Sequence, residues 1–431
     1  MPGPRCFPGT GAHRTGRTVR IVTGMDLAVT LSSVAIACAT ALAPPKGAAP
    51  SGKPPPNPPG AAPSAPIPYS TLSGRPPEAP ASRVDPRVWE VRFESSIWAP
   101  RDRNSTSQPL QGSDVMFWMP LVIQSTYSQA DVSSVRPELW LHDTRQQLPK
   151  DFVKFRQGMS QGMTGASLAI PKLDAQSIKW SLTWRVQCWS SVVDDAAAAR
   201  ITWPAEWPDE ARESLAAAPG FESGDPRVKA FVDGVSGGKL RSVTPWIAAK
   251  ELVRATANVF KNLDEGGLKV ENGMPRGIVF NGAAASMAAG AGTGHDLVAA
   301  CVTVLRAAGI PARPVLGMAE VERSGGGSSA RLVSWAELWL PQAGWVPFDP
   351  VELRSSARGG VGVERPWKRF GTWDGLNEMI PLCYGWALPV GGCAPMPFPA
   401  GFAWNATMDA EAYSKVVDRI SLQITSRGRG K

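Results

Sequence analysis

The chain has 431 residues, of which 43% are hydrophobic and 19% are charged, so it is neither wholly disordered nor a coiled coil. Its length suggests about two or three domains. The net charge of +8 comes without a Lys/Arg stripe interleaved with aromatic residues, which excludes a nucleic-acid partner. Only three His residues occur, which argues against a metal site built from His side chains. We expect neither a metal nor a cofactor.

Residues 1–43 have the layout of a secretory signal peptide. An Arg-containing stretch precedes an uncharged run, 27–43, whose end is crowded with small residues. The sequence therefore predicts an exported protein that is periplasmic, membrane-anchored or extracellular. The start codon, Met1 or Met25, stays open, and a start at Met25 would remove the basic region and weaken the signal.

A second feature of the leader bears on membrane attachment. The run that ends at Cys38 resembles a bacterial lipobox, in which this Cys would be lipidated after cleavage; plain cleavage is the alternative. Residues 44–86, rich in Pro, Ala, Gly and Ser, cannot bury enough apolar surface to fold. We therefore predict a disordered linker, with a membrane tether through the N-terminus as one option.

Residues 87–206 carry strand patterns. Apolar and charged residues alternate over 88–94, an apolar run covers 115–123, and large apolar residues occupy every second position over 178–188. Gly, Pro, Asp and Ser clusters separate these runs. This pattern predicts an antiparallel β-sandwich without catalytic residues.

Helix signals follow. Asp225-Pro226 and Thr244-Pro245 each place an N-cap residue before a Pro at the first helical position. A third helix is predicted from about His295 to Ala308, with Gly309 after its end. Strand patterns then cover 314–316, 334–340 and 344–348. Helices followed by strands predict an α+β domain.

The third helix and the strands after it contain two motifs. Gly292-Thr293-Gly294-His295-Asp296 leads without a gap into Leu305-Arg306-Ala307-Ala308-Gly309-Ile310-Pro311-Ala312-Arg313, and Trp335-Ala336-Glu337 precedes Gly344-Trp345-Val346-Pro347-Phe348-Asp349-Pro350. These motifs resemble the core of the transglutaminase-like superfamily. The resemblance implies a papain-like domain over 207–354, with helices packed on an antiparallel sheet.

The family's chemistry belongs to a Cys-His-Asp triad, in which a helix N-terminus favours the Cys thiolate. By this resemblance Gly294 stands in place of the Cys and Val333 in place of the His, while Asp349 is the retained acid. Gly cannot attack a carboxamide and Val cannot move a proton. We therefore interpret the chain as a degenerate member, a pseudoenzyme.

Other residues could replace the missing groups. His295 and Thr293 are candidate substitutes, and together they would form a nucleophile–base pair. The strand period is expected to turn Ser334 away from the face of Val333. Four further residues are predicted by the resemblance to line the cleft: Asp296, Trp335, Glu337 and Trp345.

Residues 355–431 are rich in aromatic side chains and are predicted to pack on the core, with a strand over 416–424. The aromatic residues are Trp367, Phe370, Trp373, Trp386, Phe398, Phe402 and Trp404. Cys383 and Cys393 are candidates for a local disulfide in an oxidising compartment.

The sequence is compatible with three functions. The first is binding or scaffolding at the cell envelope by an inactive domain, with an unknown protein or peptide partner. The second is an active amide hydrolase or acyltransferase with a non-standard site. The third is a module that binds glycan or cell-wall polymer.

Overall fold

The computed structural model describes most of the chain beyond residue 79. The described ranges are 80–99, 109–142, 144–146, 148, 152–159, 163–264, 268–271, 274–322, 328–356, 361–386, 394–395, 403–408 and 416–429. The predicted signal peptide, Cys38 and the predicted linker up to residue 79 lie outside these residues. Among the described helices, none has the length and apolar character needed to cross a membrane.

Seven strands come first, and they include those predicted from the sequence pattern. They are β1 (Ala81–Trp98), β2 (Leu110–Leu121), β3 (Ser128–Leu141), β4 (Thr144–Gln146), β5 (Val153–Met159), β6 (Met163–Ala175) and β7 (Ser177–Val193). In β7, every second side chain from Ile178 to Cys188 is buried. Successive side chains of a strand point to opposite faces, so this alternation places one face of β7 in the core.

Strand β1 begins at Ala81, ahead of the predicted domain boundary at residue 87. Its first residues pair with the end of β7, with Ala81 opposite Val193. Pro86 is accommodated because the register shifts between Val84 and Arg87, and Asp85 takes a positive φ of 54° there. Residues 81–86 are assigned to the linker on the basis of composition. Their pairing partner lies far along the chain, so the neighbouring sequence gives no sign that they form a strand.

Helices and short strands make up the middle of the chain. The helices are α1 (Asp195–Ala198), α2 (Asp209–Arg212), α3 (Pro226–Ser236), α4 (Pro245–Val259), α5 (Ala283–Ala289), α6 (Gly294–Ala307) and α7 (Pro350–Ser356). The strands are β8 (Asn262–Asp264), β9 (Leu268–Glu271), β10 (Met274–Ile278), β11 (Ala291–Thr293), β12 (Ala312–Glu322), β13 (Ser328–Leu340), β14 (Gly344–Phe348) and β15 (Met379–Cys383).

The predicted starts of α3 and α4 are confirmed. The Asp225 carboxylate accepts a hydrogen bond from the backbone N–H of Arg227 at 2.8 Å, and Pro226 is the first helical residue. At α4, Pro245 again comes first, but the Thr244 hydroxyl makes no capping hydrogen bond. Pro245 fits here because the first N–H of a helix has no partner within the helix.

Helix α6 ends as predicted, just before Gly309. Gly309 has a φ of 76° and donates its N–H to the Arg306 carbonyl at 3.0 Å. The N–H of Ile310 reaches back to the Leu305 carbonyl at 2.9 Å. This pair of hydrogen bonds is a Schellman motif, and Pro311 follows it.

A four-stranded antiparallel sheet, in the order β14-β13-β12-β15, lies against α6. Helix α6 is central to this domain, because its residues from His295 to Arg306 are all buried. Two further two-stranded sheets pair β9 with β10 and β8 with β11. The predicted α+β class, with helices packed on an antiparallel sheet, is confirmed.

Three more strands bring the chain back to the N-terminal region. They are β16 (Ala394–Pro395), β17 (Ala403–Thr407) and β18 (Val417–Arg429). One sheet has the order β18-β1-β7-β3-β4 and the other β16-β17-β2-β6-β5. The strand predicted over 416–424 therefore exists as β18. The predicted C-terminal segment is shared between two domains, since β15 joins the sheet beside α6.

The two five-stranded sheets pack face to face as a sandwich. Phe93 of the first sheet and Phe117 of the second both contact Trp180, with ring centroids 6.0 Å and 5.8 Å apart. All three side chains are fully buried. Their packing joins the inner faces of both sheets into one apolar core.

Four of the predicted C-terminal aromatic residues are buried in the structure: Trp367, Phe370, Trp373 and Trp386. Phe398 and Phe402 lie outside the described residues. Cys383 is a free, buried thiol that donates to the Gly385 carbonyl at 3.1 Å. Cys393 lies outside the described residues, so the Cys383–Cys393 disulfide stays a prediction.

The buried ammonium of Lys250 connects three parts of the chain. It lies on α4 and is bonded to the Asp195 carboxylate of α1 at 2.5 Å. It also donates to the carbonyls of Val363 at 3.2 Å and Arg365 at 2.8 Å, in the C-terminal segment. An ammonium has three donors, and all three are used. Burial lowers the pKa of Lys250, and the Asp195 carboxylate opposes that shift.

The Lys250→Met variant should lose about 3–5 kcal/mol of unfolding free energy, because it leaves the mostly buried Asp195 carboxylate without its charged partner. Urea denaturation would measure this loss. The matched control is Lys229→Met, on an exposed position of α3, which should change stability by no more than about 0.5 kcal/mol. Equal effects of the two substitutions would contradict the role given to Lys250.

Candidate functional site

The N-terminus of α6 is held by a buried carboxylate. Asp296 accepts hydrogen bonds from the N–H of Thr293 at 3.0 Å, the N–H of Gly282 at 3.2 Å and the N–H of Asn281 at 2.8 Å. The Asn281 amide also donates to it at 3.0 Å. In return the Thr293 hydroxyl accepts from the N–H of Asp296 at 3.3 Å, which completes a capping box. Asp296 therefore fixes both the start of α6 and the loop before α5.

Thr293 is occupied by this arrangement. Its hydroxyl oxygen lies 3.1 Å from the Val279 carbonyl and 3.2 Å from the Asp296 carboxylate, which are its acceptors. The predicted Thr293–His295 pair is not among the hydrogen bonds of the site. Gly292 is required here as well, because a Cβ at that position would lie 2.8 Å from the Cβ of Asp296.

His295 follows the first residue of α6 and forms a different pair. Its Nδ1 lies 2.8 Å from the Oγ of Ser334 on β13. The ring is buried and meets the edge of Trp386, with centroids 5.3 Å apart. Phe280 contacts the same indole, so the imidazole lies at the border of an aromatic cluster.

The position of Ser334 corrects the sequence-based expectation. Strand alternation does place Ser334 and Val333 on opposite faces, as predicted. The structure shows that the Ser334 side of β13 meets the start of α6. Trp335, on the Val333 side, contacts Trp373 instead. The sequence identified the alternation but not which face α6 covers.

Gly294 is the first residue of α6, and one neighbouring side chain lies close to it. A Cβ built there would lie 3.3 Å from Cγ2 of Val351, two residues after Asp349. The positions assigned to the family's Cys and Asp are therefore close in space. The Val351 side chain is 38% exposed and can rotate to make room.

Asp349 has structural partners. Its carboxylate accepts the N–H groups of Val351 and Glu352, both at 3.1 Å, at the start of α7. Arg369 donates to its other oxygen at 2.9 Å. Burial raises the pKa of the Asp349 carboxyl above its usual value, while the two N–H donors and Arg369 oppose that shift. The side chain acts as the N-cap of α7.

The residues predicted to line a cleft are buried in the structure. Glu337 is paired with Arg313, whose Nε lies 2.8 Å from the carboxylate, and the guanidinium is sandwiched between Trp345 and Tyr384. Trp335 lies over Gly317, where any Cβ would clash with the indole ring. Asp296 is the buried carboxylate that completes the capping box of α6. These side chains build the frame of the site rather than an open lining.

The described cysteines offer no substitute nucleophile. Cys301 on α6 is fully buried, and burial raises the pKa of its thiol. Burial also raises the pKa of the Cys383 thiol to about 12. A thiol is reactive as its thiolate, so both side chains are inert at neutral pH. Within the described residues, no cluster of three or more His, Cys, Asp or Glu side chains could hold a metal ion.

The fold and these motifs agree with a family match. Residues 254–350 match the model of the transglutaminase-like superfamily. This stretch runs from α4 through α6 and the strands after it to Pro350, and it contains Gly294, Val333 and Asp349. It is a transglutaminase-like domain, as the resemblance implied. No curated protein matches the chain.

Comparison with solved structures gives weak similarities. A proposed cysteine protease from Cytophaga hutchinsonii is 11% identical, with a TM-score of 0.46; the match covers 81% of this chain and 94% of that one. Red sea bream transglutaminase is 16% identical, covering 56% and 51%, with a TM-score of 0.24. A proposed protease from Parabacteroides distasonis is 10% identical, covering 62% and 66%, with a TM-score of 0.22. The assignment of the domain therefore depends on the family model and the motifs.

The capping role of Asp349 makes a testable prediction. Asp349→Ala should lower the unfolding free energy by about 1–2 kcal/mol, because α7 loses its N-cap. Asp349→Asn should retain most of that stability, since the amide oxygen can still accept the two N–H groups. Urea denaturation of both variants would measure the difference. If Ala and Asn gave the same stability, the side chain would not be acting as a cap.

Proposed function

We propose that this transglutaminase-like domain is a pseudoenzyme that binds a protein or peptide partner at the cell envelope. The observation that carries the proposal is the state of the triad positions: Gly294 begins α6, and Asp349 is engaged by α7 and Arg369. An Asp that caps a helix and pairs with Arg is accounted for without a catalytic His. The buried, high-pKa thiols of Cys301 and Cys383 support the same conclusion.

Export is a second part of the proposal, and it is supported by the sequence of the leader. Residues 1–43 have the layout of a signal peptide, and 44–86 have the composition of a tether. Lipidation of Cys38 would add a membrane anchor. A protein held in this way needs no turnover to act as a scaffold.

The full-length wild-type chain should show no hydrolysis of peptide or glutamine amides and no acyl transfer to an amine. The reason is that neither a thiolate nor a proton acceptor stands at positions 294 and 333. The double variant Gly294→Cys/Val333→His is to be tested beside the wild type, because it restores both missing residue types. A side chain fits at position 294 if the Val351 side chain, its nearest neighbour, moves. We expect this variant to gain a thiol that reacts with iodoacetamide.

Turnover by the wild-type protein that disappears in the His295→Ala variant would overturn the pseudoenzyme proposal. The same loss in Asp349→Ala would be ambiguous, because that variant also removes the cap of α7. His295→Ala is the sharper control, since the His295 side chain is not part of the α6 capping box.

One observation favours a second candidate function, a serine-dependent acyl hydrolase. Ser334 and His295 have the separation of a nucleophile–base pair. In such a reaction the Ser334 Oγ would form an ester with the acyl group, and its proton would pass through His295 to the leaving amine or alcohol. Water would then split the ester, again through His295.

A fluorophosphonate probe separates the two functions, because it modifies only an activated Ser. If the protein is a pseudoenzyme, mass spectrometry should find the peptide that contains Ser334 without the probe. Labelling at Ser334 that is abolished in Ser334→Ala and reduced in His295→Gln would establish the hydrolase instead. The control variant Ser242→Ala removes an exposed hydroxyl far from this pair in sequence and should leave labelling unchanged.

A further inference from the structure

A groove of about 560 Å³ lies on the outer face of the sandwich sheet that has the order β18-β1-β7-β3-β4. The inner face of this sheet carries the buried residues Trp184, Val186 and Cys188 of β7. The residues between and after them, Arg185, Gln187 and Trp189, line the groove. The groove therefore belongs to the sandwich and lies on the face opposite its core.

The floor of the groove is a cross-strand row. Val88 of β1 is paired with Gln187 of β7, which is in turn paired with Gln129 of β3. The two glutamine side chains are therefore neighbours on one face of the sheet. A glutamine amide carries two N–H donors and a carbonyl acceptor, so it can make several hydrogen bonds at once.

One wall is built by an irregularity in β3. The register shifts between Asp131 and Arg136, so β3 has a bulge there. Arg185 pairs with the Asp131 carboxylate at 2.9 Å, and the Ser133 hydroxyl donates to the other oxygen at 2.5 Å. The hydrogen bond from Ser133 lowers the pKa of Asp131, with Arg185 acting in the same direction. The wall thus carries a fixed ion pair with no net charge.

The lining also includes the indole of Trp189. The Arg83 guanidinium stacks over this ring, 4.7 Å from its centroid, and also donates to the Ser125 carbonyl at 3.3 Å. These contacts hold the indole in place. Val132, on the bulge, is 40% exposed and adds an apolar contact to the lining.

We infer that this groove binds a neutral, hydroxyl-rich glycan chain. Paired amides and an Asp–Arg pair can donate to and accept from neighbouring sugar hydroxyls. An indole and a valine suit the apolar C–H faces of a pyranose ring. The charges of Asp131 and Arg185 cancel within the lining, so the lining residues offer no net charge to a phosphate or a polyanion. The volume falls within the range of small-ligand sites, and the open shape suits a chain rather than an enclosed ligand.

The inference goes beyond the proposed function, because it concerns the sandwich and not the transglutaminase-like domain. Its success or failure is independent of residues 294, 295, 333 and 334. A glycan ligand would give an exported protein an attachment point on a polysaccharide surface. The chain would then hold the transglutaminase-like domain beside that polymer.

Isothermal titration calorimetry on the full-length protein tests the inference. The probes are a β-1,4-linked glucose hexasaccharide and a β-1,4-linked N-acetylglucosamine hexasaccharide. We expect one of them to bind, with little dependence on salt because the ligand is uncharged. Gln129→Ala/Gln187→Ala should weaken binding about tenfold or more, since several hydrogen-bonding groups are lost.

Two further variants make the test decisive. Trp189→Ala should also weaken binding, while Thr183→Ala, on the same face of β7 outside the groove, should not. If Trp189→Ala fails to fold, the double Gln variant still tests the site. Absence of binding to both probes, or binding that survives the double Gln variant, would overturn the inference. Stronger binding of a heparin fragment than of either neutral probe would overturn it as well.

Discussion

The ammonium of Lys250 is the interaction on which the arrangement of the described chain depends. A buried charge is tolerated only when it is paired and all its donors are used. Lys250, on α4, meets this condition with partners from two further segments: Asp195 after the sandwich, and the carbonyls of Val363 and Arg365 in the C-terminal segment. The ring centroids of Trp246 and Trp367 lie 5.4 Å and 5.5 Å from the ammonium nitrogen. None of the three segments can move away without leaving a buried polar group unpaired.

The contacts of Lys250 hold together a chain in which the sandwich and the transglutaminase-like domain are interleaved. The chain leaves the sandwich after β7, builds the second domain, and returns to add β16, β17 and β18 to both sandwich sheets. The return path is fixed by further hydrogen bonds: Trp89 donates to the Asn377 carbonyl at 2.8 Å, and Ser191 donates to the Gly371 carbonyl at 2.6 Å. The outer groove of the sandwich and the start of α6 therefore belong to one connected body.

Local features were predictable, and long-range ones were not. Three predicted features depend only on neighbouring residues, and the structure confirms them. They are the alternation in β7, the Asp225-Pro226 start of α3 and the Gly309 end of α6. The first residues of β1 looked like a linker, since their strand partner lies at the far end of β7. The direction of Ser334 was missed for a related reason. A period of two defines two faces, but only tertiary packing decides which of them meets α6.

The same distinction applies to the candidate site. The motifs shared with the transglutaminase-like superfamily contain residues that react and residues that hold the frame. Here the frame is complete: Asp296 closes the capping box, Gly309 ends α6, and Arg313 pairs with Glu337. Each of these groups has its own partners, so the frame does not need the triad in order to be stable. Asp349 belongs with the frame, because its two helix N–H groups and Arg369 account for its carboxylate oxygens. Retention of an acid at this position is consequently no evidence for catalysis, and activity must be judged from the groups that stand at 294, 295, 333 and 334.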